Sequence, residues 1–515
     1  MLQKMSNADI PSPHSAQPLL SSRRLELLSL ALILSLSLGL RLWGLGDKSL
    51  WLDEAASVTI SRLPLRKMFQ GIAAHDAHPP LHFVVLKLIS SARLSEWLVR
   101  LPSAAASVAA VWIVYLISRT ILGAKAALVS ALLMAASGYH VYFAQEARLH
   151  SLVTFLILLS WYSYIVNCLS QKKNSWFYWL LYVVATTASL YTYYYAAFSI
   201  VGQGIATVIF AVKDRNGKYW KAWAISAAVS VLLFLPWMPV LWQKMRWAAT
   251  SPSALSQGWV FGGWTLLETL QEFMTGHQLL AREQHLVALY FICVVIFVSA
   301  LLLLSKKQNQ LIICACALLV PYICVGLLQL TPHIFESKHL IYTSPFLFIL
   351  VGSLWSTSRS KLLPVVTSIV LLCTNTVALW EYYAPSFEKE NWRGIGTFIE
   401  THSKPGDALC RNPGFLHFPL NLYLESAMPR VPASLADKVD YSTLERSIKR
   451  VWLVQSFSRI SMPNPAIGKW FEKNWKRDSI IKSSGFLGTI YVGLYERPPR
   501  LDQGNNEIER NNNDK

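Results

Sequence analysis

The chain has 515 residues, of which 53% are hydrophobic and only 15% charged, with a mean hydropathy of +0.35. Soluble domains carry about 25% charged residues, so this balance excludes one large water-soluble domain and asks for a lipid bilayer. The formal charge of +18 would suit nucleic acid, but the basic residues lie in short clusters between apolar runs, which is a topology signal and argues against a nucleic-acid partner.

Residues 1–24 are polar and end in Arg23-Arg24, with no cleavage signal before the next apolar run. They read as a cytoplasmic N-terminal tail ahead of an uncleaved first helix at 25–45. Further runs near the ~20 residues a span needs lie at 99–119, 122–141, 150–168, 176–196, 197–213, 221–242, 284–305, 309–330, 338–357 and 361–381. The expectation is a polytopic α-helical membrane protein with about eleven transmembrane helices. Cationic clusters fall on alternate connections, as orientation by Lys and Arg requires: Arg119 with Lys125, Lys172-Lys173, Lys213-Asp214-Arg215 with Lys218, Lys306-Lys307, and Arg359 with Lys361. With the N-terminus inside, the first outer loop (46–98), the turn around 145–148, the 243–283 loop and the start of the 338–357 span lie outside. Twenty Trp and 21 Tyr suit a chain with many membrane–water boundaries.

The run from Pro79-Pro80 to Ile89 is apolar but too short to cross, and counting it would break the charge alternation. It reads as an interfacial helix started by the prolines. The seven cysteines lie almost all in apolar runs and read as small buried hydrophobes, with no disulfide framework. Residues 25–381 form the transmembrane part. From 382 to 503, helix-like segments alternate with strand-like ones such as Arg450–Val454 and Thr489–Tyr495, the pattern of a small C-terminal extracytoplasmic α/β domain. Residues 504–515 have the composition of a disordered tail.

Four polar groups are expected on the outer face. Trp51, Asp53 and Glu54 stand where the first helix should leave the membrane; adjacent carboxylates there are either a solvated helix end or a site facing a cation or a proton-bearing substrate. His75-Asp76-Ala77-His78 precedes the interfacial helix. Its i, i+3 spacing before Pro-Pro is not that of a helix-face ligand pair, so no cofactor or metal is assigned, with a divalent metal kept as an alternative. Gln145, Glu146, Arg148 and His150 open the fourth span, where Arg148 either pairs locally or meets an anion. Glu336, Ser337, Lys338 and His339 open the tenth. Together they offer a carboxylate to take a proton and cations to hold a phosphate at the membrane surface.

Trp51-Leu52-Asp53-Glu54, His78-Pro79-Pro80-Leu81, Gln145-Glu146-Ala147-Arg148 and Asn391-Trp392-Arg393-Gly394 resemble bacterial relatives of the dolichyl-phosphate-mannose–protein mannosyltransferases. These belong with the aminoarabinose lipid A transferases in the C-type membrane glycosyltransferase superfamily, and the resemblance covers most of 25–400. It implies an inverting glycosyltransferase that moves a sugar from a polyprenyl-phosphate-linked donor to an extracytoplasmic acceptor (protein, lipid or polysaccharide). Asp53 would be the general base and Glu54 would orient the acceptor. Arg148, Lys338 and His339 would hold the donor phosphate, and Trp51, Asp76, His78, Gln145 and Glu146 would line the pocket. Many relatives have an Arg before an aromatic residue where this chain has Lys338-His339. The expected location is the inner or plasma membrane, multi-pass. A transporter or lipid flippase is the alternative, but polar groups gathered at one face rather than at the bilayer midplane favour an interfacial enzyme.

Overall fold

The computed structural model describes residues 13–89, 95–169, 175–214, 220–250, 263–276, 308–328, 336–426, 428–431, 448–458 and 462–498. The expected span at 284–305, Lys172-Lys173, Arg215, Lys218, Lys306-Lys307, the start of the N-terminal tail and the 504–515 tail lie outside these residues. The described chain forms two compact units. One contains residues up to Asp47 and Ile60–Ala384; the other contains Lys48–Thr59 and everything from Pro385. The change of unit at 384/385 lies close to the change of composition at 381/382. The excursion 48–59 differs from the expected single outer loop 46–98, because its packing partners lie more than 300 residues downstream.

The first unit is helical. In chain order it holds α1 (Pro13–Leu42), the end of α2 (Leu52–Arg62), α3 (Leu65–His75), α4 (Leu81–Ile89), α5 (Glu96–Ile121), α6 (Ala124–Ala135), α7 (Gly138–Ala144) and α8 (His150–Leu169). Then come α9 (Ser175–Leu190), α10 (Ala197–Asp214), α11 (Trp220–Phe234), α12 (Met238–Thr250), α13 (Gly263–Thr275), α14 (Gln308–Leu328), α15 (Ser344–Thr357) and α16 (Leu362–Tyr383). Among the described residues, seven helices are long and apolar enough to cross a membrane, or eight if the bent pair α6–α7 is one span. The expected spans at 176–196 and 309–330 appear as the shorter apolar helices Trp176–Leu190 and Ile312–Leu327. The N-terminal tail expected over 1–24 is helical from Pro13, since hydropathy marks where lipid begins and not where helical hydrogen bonding stops. The expected interfacial helix is α4, which follows Pro79-Pro80; the Leu81 amide at its start donates to the Tyr191 carbonyl at 2.9 Å.

Close packing runs through small residues, as in other membrane bundles. A Cβ at Gly352 would lie 2.8 Å from the Ala126 carbonyl, so α15 and α6 meet at backbone distance. The bundle also has two distinguishable ends. At one, Glu26 accepts from Arg119 and Tyr115 (2.6 Å each), Lys213 donates to Asn309 (2.6 Å) and Gln310 to the Ile121 carbonyl (3.2 Å). Residues whose connections the charge pattern puts on one side therefore meet at one end.

The second unit is α/β. β1 (Ala408–Asn412), β2 (Arg430–Val431), β3 (Arg450–Ser458), β4 (Lys476–Ser484) and β5 (Gly488–Glu496) form one sheet of order β2-β1-β3-β5-β4. β1 is parallel to β2 and β3, while β5 is antiparallel to β3 and β4. One face packs α17 (Trp392–His402) and α18 (His417–Tyr423) through Trp392, Ile395 and Leu420 against Leu409, Trp452 and Val492; the other packs α19 (Pro465–Asn474) through Ile467 and Phe471.

Candidate active site

The acidic pair belongs to the second unit, in the first turn of α2. A helix start leaves backbone N–H groups without intrahelical partners. Here three successive ones are met by three different side chains. Leu50 N–H donates to the Tyr423 hydroxyl (2.7 Å), Trp51 N–H to Glu54 Oε2 (3.3 Å) and Leu52 N–H to Glu390 Oε2 (2.9 Å). Leu50 and Glu54 are fully buried, and Asp53 is half-buried. The positive end of the helix dipole favours both carboxylates. Trp51 is buried in this unit, with the Lys389 ammonium 6.0 Å over its ring.

The first unit gathers the cationic candidates. Asp76 accepts from the backbone of His78 (2.8 Å) and pairs with its Nδ1 (2.9 Å). Burial would raise the Asp76 carboxyl, but the His78 bonds and the His78 and Arg148 charges hold it below the usual carboxylate range. The His78 ring stacks on Tyr193 at 5.9 Å, Tyr193 packs on Tyr195 at 5.2 Å, and Tyr195 on His339 at 5.5 Å. Arg148 is buried, with its carbonyl bonded by Ser103 Oγ at 3.0 Å. His82 bonds the Ala147 carbonyl at 3.0 Å; burial, then the Arg148 charge, push it down to about 3, so it is neutral at pH 7. Lys338 is paired with Glu336 at 2.7 Å, and His339 Nδ1 accepts the Glu336 amide at 3.2 Å. Asp76, His78, Arg148, Lys338 and His339 thus form one neighbourhood, built on the link between α3 and α4, the link between α7 and α8 and the 3₁₀ turn Ser337–Thr343.

Two expected pocket residues have local roles. The Gln145 amide donates to the carbonyls of Leu40 (3.4 Å), Arg41 (3.1 Å) and Trp43 (2.7 Å), closing the end of α1. Glu146 is buried in the turn between α7 and α8. Among the described residues no group of three His, Cys, Asp or Glu side chains could hold a metal ion, and Asp76 and His78 are engaged with each other. Sequence reading missed Glu390 and Tyr193. The only signals were the polar run before Trp392 and the run Tyr191-Thr192-Tyr193-Tyr194-Tyr195.

The family model of the dolichyl-phosphate-mannose-protein mannosyltransferases matches residues 77–242, a stretch holding His78, Arg148 and Tyr193. No curated protein matches the sequence. ArnT from Cupriavidus metallidurans, solved bound to undecaprenyl phosphate, is similar over 90% of this chain and 97% of its own, at 14% identity and a TM-score of 0.58. The archaeal oligosaccharyltransferase AglB from Archaeoglobus fulgidus, in complex with an inhibitory peptide and a dolichol-phosphate, is similar over 84% of this chain and 69% of its own, at 11% identity and a TM-score of 0.53. At such identities the likeness is one of fold. The chain is thus similar in fold to membrane glycosyltransferases, and about a third of it matches the mannosyltransferase family model.

Proposed function

We propose that the protein transfers a sugar from a polyprenyl-phosphate-linked donor to an extracytoplasmic acceptor, with inversion at the anomeric carbon. The observation that carries this reading is the buried Arg148 amid His78, His339 and stacked tyrosines, inside the matched family segment. A guanidinium there offers a planar fork to a phosphate, while the lipid tail stays in hydrocarbon. Lys338 stands second, because it is already paired with Glu336. The superfamily speaks for an enzyme over a transporter.

In the reaction, the acceptor's nucleophilic atom bonds to the anomeric carbon as the bond from that carbon to the phosphate oxygen breaks. The electron pair leaves with the phosphate, whose charge Arg148 stabilises, and the acceptor's proton passes to Asp53. Glu54, fixed by its bond to Trp51 N–H, orients the acceptor. No step is assigned to a metal. About eleven spans, with the alternating cationic connections, would leave the N-terminus in the cytoplasm and the α/β unit outside the inner or plasma membrane.

Mass spectrometry of envelope lipids and glycans, with and without the protein, tests this reading. A hexose-, pentose- or aminosugar-bearing species should vanish without it. It should return with the wild-type chain, and turnover with Asp53→Asn should be about 10²–10⁴-fold lower per folded molecule. Near-normal product from Asp53→Asn would remove Asp53 as the base.

A further inference from the structure

Behind the acidic pair stands a third carboxylate. Glu390 lies two residues before Trp392 and is 5% exposed. Its Oε2 accepts both from Leu52 N–H, at 2.9 Å across 338 residues of sequence, and from the Trp392 indole at 2.7 Å. Its carbonyl accepts from Ser49 Oγ (2.6 Å), and the same hydroxyl accepts the Trp392 amide (3.2 Å). From the β4–β5 turn, Phe486 and Leu487 donate to the carbonyls of Glu388 and Lys389. One carboxyl group is thus clamped against the first turn of the helix that carries Asp53.

Capping alone does not require a carboxylate. Both donors meet one oxygen, and an amide oxygen would accept them equally well. The charge itself therefore needs a reason. The charged groups around Glu390 are Asp53 and Glu54 on α2, Lys389 and Arg393 on its own segment, and Glu388 and Lys48 beyond them, while α18 presents Tyr423. Burial pushes the Glu390 carboxyl up to about 7, and the Asp53 charge adds to this, against the pull of the Trp392 and Leu52 bonds.

We propose that Glu390 is a positioning residue for Asp53, fixing the first turn of α2 and setting a second negative charge at that turn, which stabilises the positive charge that develops on the acceptor as its proton leaves. The proposal rests on the reading of Asp53 as the base. Since Glu390 ionises as pH rises through about 7, the second charge is present on the alkaline side. Stability runs the other way. A carboxyl raised in the folded state contributes fully below its unfolded value of 4.5 and loses that contribution as pH rises through about 7. Glu390→Gln keeps the cap without the charge, so at pH 8 it should melt no lower than wild type.

The test uses the full-length protein and two readouts. In an infrared titration, a protonated carboxyl band should disappear near pH 7 in wild type, be missing in Glu390→Gln, and shift to lower pH in Asp53→Asn. Membrane vesicles from the source cells, whose own lipids and glycans supply donor and acceptor, should form more product at pH 8 than at pH 6. Glu390→Gln should flatten that profile and lie about three- to tenfold below wild type at pH 8. Glu390→Asp should recover part of the pH dependence. A Glu390→Gln profile that follows wild type, or a carboxyl titration unmoved in Asp53→Asn, would overturn the proposal. Normal turnover in Asp53→Asn would defeat the base assignment instead, and is told apart because the infrared coupling would persist.

Discussion

Burying a guanidinium at the start of a membrane helix is costly unless an anion answers it. Arg148 acts on the Asp76 carboxyl, which also accepts from His78 through backbone and ring, and a guanidinium with five N–H donors can serve more than one anion. Arg148→Ala should weaken binding of a polyprenyl phosphate by roughly 1.5–3 kcal/mol, the size of one charge-assisted contact. Arg148→Lys should restore it only in part, because the planar fork is lost. Native mass spectrometry with undecaprenyl phosphate measures both. If neither variant changes the affinity, Arg148 is an anchor and Lys338 is the next residue to test.

At the scale of elements, the breaks in helices do the positioning. α6 and α7 are bent by 57°, and a break in a membrane helix exposes backbone groups that lipid cannot satisfy. The chain supplies partners: Arg41, fully buried, donates to the carbonyls of Ala135 (2.9 Å) and Met134 (3.3 Å), and Asn375 accepts from Gly138 N–H (2.8 Å). Gln145 does the same for the end of α1. Gln145→Ala should therefore cost about 1–3 kcal/mol of stability, as expected for buried carbonyls left unmet. A lower melting temperature in detergent, with donor affinity retained, is the expected result. Gln145→Glu should melt lower still, since a carboxylate would face carbonyls. Loss of affinity at unchanged stability would return Gln145 to the substrate pocket.

For the whole molecule, the charge pattern assigns alternate connections to opposite sides of the membrane. Arg119 meets Glu26, and Lys213 meets Asn309, at one end of the bundle. Arg148, His78 and His339 gather through different connections, all expected on the outer side. A reporter active only outside the cytoplasm should work when fused after residue 400 and stay silent when fused near 213 or 359. A silent fusion at 400 would change the number of spans by an odd count and bring the α/β unit inside.

The sequence by itself determined the helical membrane class, most span positions and the change to α/β structure near residue 382. Each of these is a local property: apolar run length, clustered Lys and Arg, or alternating hydrophobicity is read within a window of some twenty residues. It also marked Asp53, Glu54, His78 and Arg148, because charge beside an apolar run is conspicuous wherever it occurs. Only the tertiary structure decided what these residues meet. Residues 48–59 belong with the C-terminal unit, Glu390 stands behind Asp53, Tyr193 lies against His78, and Gln145 closes the end of α1. Each of those contacts joins residues from about 100 to more than 300 positions apart. A buried hydrogen bond demands a donor and an acceptor at one place in space but imposes no spacing along the chain, so no sequence window could have shown them.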